Sequence, residues 1–404
     1  VAGQGWGAAR GAAACLVACL LALTGCAVPE PPDPAAREIQ TLLDRHARAV
    51  LTRDEAAYTV ALDPSLASAA LKELDQLAEV PLASWAYRVE HVDRRGGDRA
   101  TVRAELTYRV EGYDPGPVTT PRVLDLTERD GRWYVTADRP GEGAAQQLWQ
   151  QGEVEAVRGR RSLVLGVGQP EESLKAIAAE ADRAVPAVSA AWPSPWARRV
   201  VVLVPASLDA MGGLLGAPAA SYRGIAAVTT GEVGGGPDAP ADRVIVNPEA
   251  YGVLGDFGRR IVLTHEATHV ATRTATSAAT PVWLSEGFAD WVAYRGTGRT
   301  AAQAAPELRR AVRAGDLPAV LPDDKDFTFG GDGDALARAY ESGWLACTLI
   351  AERWGEAKLI AFYRAVGAHP GREGAVEKAL HEVLGTTPES FTADWRAFLR
   401  ERLG

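Results

Sequence analysis

Cysteine, histidine and methionine are scarce in this chain: four, six and one among 404 residues. Cys15 and Cys19 lie in an apolar run, residues 12–23, and Cys26 follows it closely. Beyond them only Cys347 remains, so no disulfide can form within the rest of the chain. Its apolar helical setting suits a small buried hydrophobe. The run at 12–23 is also too short for a membrane span, which needs about 20 apolar residues. Excess positive charge is missing as well. The formal net charge is −9, which leaves no electrostatic case for a nucleic-acid partner. What is present is enough for real cores: 47% of residues are hydrophobic and 24% charged, over a length that allows two or three domains.

With histidine so rare, its placement carries information. His265 and His269 stand four apart in T-H-E-A-T-H, with Glu266 directly after the first. Four residues is just over one helical turn, so both imidazoles leave one face of a helix. Two neutral ring nitrogens there suit Zn²⁺, bound at about 2.0–2.1 Å. Glu266, one step round the helix, can miss the metal yet reach a water beside it, as a general base for hydrolysis must. Ile261, Val262, Leu263, Ala267, Val270 and Ala271 give the helix an apolar back.

Such a site needs a third protein ligand and a position left for water. Glu286 occurs in P-V-W-L-S-E-G-F-A-D-W, where Pro281 can open a helix and Trp283, Leu284, Phe288 and Trp291 supply apolar cover. Asp290 lies four residues after Glu286, on the same face, where it can accept a hydrogen bond from the outer nitrogen of His265.

H-E-A-T-H followed by W-L-S-E-G-F-A-D-W resembles the gluzincin clan of zinc metallopeptidases, and most of all its peptidase MA-like domains. The resemblance covers roughly residues 160–402. It implies one Zn²⁺ per chain held by His265, His269 and Glu286, Glu266 as base, Asp290 behind His265, and a peptide or protein substrate. In this clan a tyrosine or histidine beyond the glutamate ligand stabilises the oxyanion, and A-Y-E-S-G-W resembles the place of that tyrosine, which points to Tyr340. The Gly-x-Met-Glu-Asn strand of the aminopeptidase branch is not found. Two other readings stay open: a catalytically silent binding module that keeps the peptidase fold, and a zinc amidase acting on cell-wall peptides.

Arg10, the apolar run and L-T-G-C resemble a bacterial lipoprotein signal. That implies a signal peptide over 1–25, lipid on Cys26, and anchorage on the extracytoplasmic face of a bacterial cell membrane. The proline-rich stretch within 26–35 reads as an extended tether. Residues 36–139 read as a small α+β domain: a helix over 37–60, another over 65–77, then strands at 85–90, 99–110, 122–128 and 133–135. Helices followed by an antiparallel sheet resemble the nuclear-transport-factor-like cone fold. No polar constellation is visible there, and His46 and His91 read as packing or surface residues. A linker is expected over 140–160, with a short helix near 144–148. The zinc metallopeptidase domain then fills 161–404: strands and a long helix over 171–191 that Pro186 kinks or breaks, a cleft-edge strand over 223–230, a loop over 231–242, the motif helix, and a helical C-terminal part. The expected class is thus α+β throughout.

Overall fold

The computed structural model describes residues 34–231 and 238–404. The leader, Cys26, most of the tether and the middle of the 231–242 loop lie outside these residues. No helix among the described residues is long and apolar enough to cross a membrane.

The N-terminal part opens with a helix, Pro34–Thr52, and closes with an antiparallel meander: β1 (Leu82–Arg94), β2 (Arg99–Val110), β3 (Val118–Arg129) and β4 (Arg132–Pro140), paired in sequence order. The expected helix over 37–60 is two helices. Arg53 adopts a left-handed φ of 55°, and Asp54 then caps a second helix, Glu55–Val60, by accepting from the Ala57 backbone N–H. The third helix, Ala67–Gln76, follows. Strand β2 matches its sequence reading, because alternate residues (Ala100, Val102, Ala104, Leu106, Tyr108, Val110) are buried.

A second sheet has the order β5-β6-β7-β9-β8, formed by β5 (Val154–Arg158), β6 (Ser162–Val167), β7 (Val200–Val204), β8 (Ala227–Thr230) and β9 (Arg243–Val246). The inner pairs are parallel, while β5 and β8 run antiparallel at the edges. On one face Val164, Val200, Val202, Val204, Val244 and Val246 pack against the helix Glu171–Ala191 and the motif helix. On the other, Leu163, Leu165, Val167 and Ile245 join the core of the N-terminal part. Strand β6 is buried on both faces, which is why it reads as an unbroken apolar run.

Three expectations are corrected here. Residues 140–160 are not a free linker: they contain buried Leu148 and Trp149 and the edge strand β5. No helix forms at 144–148; the short turn that does form is Leu148–Gln150. The helix Glu171–Ala191 runs unbroken through Pro186.

The two parts are also joined by a buried ion pair. Asp114, in the turn after β2, receives both Nη atoms of Arg243 at 2.8 Å, the Ala241 N–H at 3.0 Å and the Val110 N–H at 2.6 Å. The carboxylate is fully paired, as a buried charge must be.

Candidate metal centre

His265, Glu266 and His269 all lie on one helix, Asp256–Thr272. Leu263, Ala267 and Ala271 bury its back, while Ile261 and Val262, expected there, line the cleft instead because they lie on the same helical face as the histidines. Glu286 and Asp290 lie on the next helix, Val282–Tyr294, and Tyr340 on the long helix Gly333–Trp354. The last two helices touch backbone to backbone. A Cβ on Gly287 would come within 2.3 Å of the Gly343 carbonyl group, and one on Gly343 within 2.6 Å of the Trp283 carbonyl oxygen. Only glycine permits that approach, which sets Glu286 and Tyr340 on neighbouring walls.

The donor atoms converge. His265 Nε2 is 3.0 Å from His269 Nε2 and 3.1 Å from Glu286 Oε2, and His269 Nε2 is 3.4 Å from the same oxygen. Three ligands bound tetrahedrally at 2.0–2.1 Å lie about 3.3 Å apart, so this triangle has the dimensions of one face of a zinc site. Among the described residues it is the one His/Cys/Asp/Glu group with metal-holding geometry. Asp290 Oδ1 is 2.7 Å from His265 Nδ1. A carboxylate oxygen can only accept, so Nδ1 carries a proton, and Nε2 is the atom turned toward the triangle.

Electrostatics agree with a place built for a cation. Burial works to lower His265, but the charge of Asp290 and the hydrogen bonds the ring donates to the Asp290 and Glu286 carboxylates outweigh it and hold the ring well above the usual histidine range. Burial works to raise Glu286, yet His269 and His265 hold it far below the usual carboxylate range.

Glu266 is buried, and its Oε2 accepts from Thr229 Oγ1 at 2.6 Å. Thr229 lies on β8, the sheet edge expected beside the cleft, and that placement is as read. The hydroxyl itself was not legible, since its partner is 37 residues away and no local pattern marks it. Tyr340 also faces the site, its ring 6.3 Å from that of His265. Burial and the charges of Glu286, Asp290 and Glu266 push its phenol well up, so it stays a proton donor. These groups line an open cleft of about 780 Å³, with the β8 strand along one wall and Ile261, Val262, Ser277, Thr280, Phe329 and Arg372 around it. His91, His369 and His381 line no part of this cleft. Cys347 is buried, as expected.

No protein-family model matches the chain, and no curated protein matches it. Solved structures similar to it include a two-domain M1 zinc metallopeptidase bound to L-arginine, 16% identical, covering 80% of this chain and 62% of that one, at a TM-score of 0.35. Native yeast LTA4 hydrolase is 13% identical over 80% of this chain and 60% of its own, at 0.37. An M1 zinc metallopeptidase from Deinococcus radiodurans, bound to a Tyr-Ser-Ala substrate, is 13% identical over 78% and 94%, at 0.34. The chain spans about three fifths of the first two. Likeness at this level carries no weight for activity, and the reading below rests on the chain's own residues.

Proposed function

We propose that this protein is a zinc-dependent peptidase, held at a membrane by lipid on Cys26, that hydrolyses peptide bonds in its open cleft. The observation that carries the reading is the convergence of His265 Nε2, His269 Nε2 and Glu286 Oε2 on one point at the cleft floor, with the Glu266 carboxylate beside it. The lipid anchor and the cone-like reading of the N-terminal part are supported by the sequence pattern alone.

The two histidines and Glu286 would hold one zinc ion. When bound, zinc lowers the pKa of water and polarises a carbonyl oxygen. Glu266 takes the proton from the attacking water and delivers it to the leaving amine. Thr229 keeps that carboxylate from swinging away by donating to Oε2. Asp290 fixes the His265 ring and its tautomer. The Tyr340 hydroxyl donates to the oxyanion as it forms. The free edge of β8 offers main-chain groups on which an extended peptide can be laid as an added strand.

The test is Glu266→Gln. Zinc content, read by mass spectrometry, should match wild type, while hydrolysis of casein falls by roughly 10²–10⁴. Casein cleavage at the wild-type rate in this variant would remove Glu266 from the mechanism. Wild-type protein that holds no zinc, even when it is supplied, would remove the metal centre itself.

A further inference from the structure

A second cavity, of about 140 Å³, lies in the N-terminal part between its helices and the meander. The sequence shows no polar cluster there, yet folding brings His46, Tyr58, Glu73, Tyr87 and Asp138 around this one space. His46 is buried, with Nδ1 3.1 Å from the Tyr58 carbonyl oxygen and its ring stacked on the Tyr58 ring at 4.2 Å. A carbonyl only accepts, so the proton sits on Nδ1 and Nε2 is left as an acceptor. Tyr58 and Tyr87 are 6% and 7% exposed.

The charges around the cavity do not cancel. Asp138 is paired with Arg122 at 2.6 Å. Burial depresses His46 to about 4, so the ring is neutral at physiological pH. Glu73 forms no ion pair among the described residues; burial, with the charge of Asp138 behind it, pushes its carboxyl up, while Arg122 and a hydrogen bond from the Trp149 side chain work the other way. Two carboxyls, Asp138 and Glu73, thus share the single cation Arg122, beside two aromatic faces and walls such as Leu62 and Leu124.

We infer that this cavity binds a small monovalent organic cation, an alkylammonium, with its charged head against Glu73 and the Tyr58 and Tyr87 rings and its apolar body between the leucines. Oxygen acceptors and π-faces together are what such a head requires. The volume corresponds to about five waters at ~30 Å³ each, which sets the ligand at about that many non-hydrogen atoms.

The test is calorimetric titration of the full chain with propylammonium, beside propanol and propionate as neutral and anionic matches of size. Propylammonium should saturate one site, and the two controls should not. Glu73→Gln should weaken binding tenfold or more while casein hydrolysis stays unchanged, since Glu73 is no part of the peptidase cleft. Ala70→Leu, which fills the cavity without changing charge, should weaken binding as much, and it covers the case in which Glu73→Gln fails to fold. No saturable binding of propylammonium, equal binding of propanol or propionate, or binding that survives these substitutions would overturn the assignment.

Discussion

His46 and His265 are both buried rings, one in each part of the molecule, and their surroundings drive them in opposite directions. Around His46 stand phenol rings and a backbone carbonyl, and desolvation wins: the ring falls to about 4. Around His265 stand Asp290 and Glu286, and their charges overcome the same desolvation. Burial alone therefore does not make a metal ligand of a histidine. Carboxylates hydrogen-bonded to the buried ring, as Asp290 and Glu286 are to His265, raise it and make the space beside it favourable to a cation.

The sharpest way to test that contrast is to remove one imidazole from each place. His269→Ala should abolish zinc binding, from about one ion per chain to none, while His46→Gln leaves zinc content unchanged; metal analysis of the two purified variants decides it. A smaller effect should follow from Asp290→Asn, which keeps the ligands but weakens the hold on His265. Zinc affinity should fall about 10–100-fold, measured by competition with a chromophoric chelator.

The smallest effect concerns pH. His46 titrates at about 4 in the fold and near 6.5 in the unfolded chain. Between these values the unfolded state binds the extra proton, so stability falls as pH drops through the window and is flat with respect to this group above it. The loss is about 3 kcal/mol at most. Thermal melts from pH 7 to pH 4 should show a shallower decline for His46→Gln than for wild type, and equal slopes would show that His46 does not control this limb.

The candidate metal centre was legible because its spacing is local. His265 and His269 share a helical face, as do Glu286 and Asp290, and each pair declares itself within five residues. The N-terminal cavity was not legible, since its polar groups lie at positions 46, 58, 73, 87 and 138 and meet only through tertiary packing. The same holds for Gly287 against Gly343: either glycine reads as an ordinary helix interruption until the two helices are seen to cross there. The linker reading failed for a related reason. Glycine, glutamine and charge mixed through this stretch read as a linker, but Leu148 and Trp149 are buried by elements distant in sequence.

The sheet that bears the cleft is covered on one face by the N-terminal part, and that arrangement decides how the molecule can be taken apart. The cleft-bearing half is not a detachable cassette. Cutting the chain ahead of β6 would bare Leu163, Leu165, Val167 and Ile245 as an adhesive patch. It would also strand the Arg243 guanidinium without Asp114, a loss on the order of 3–5 kcal/mol for a buried pair. Proteolysis between the halves would therefore release an aggregating fragment instead of a free, folded half.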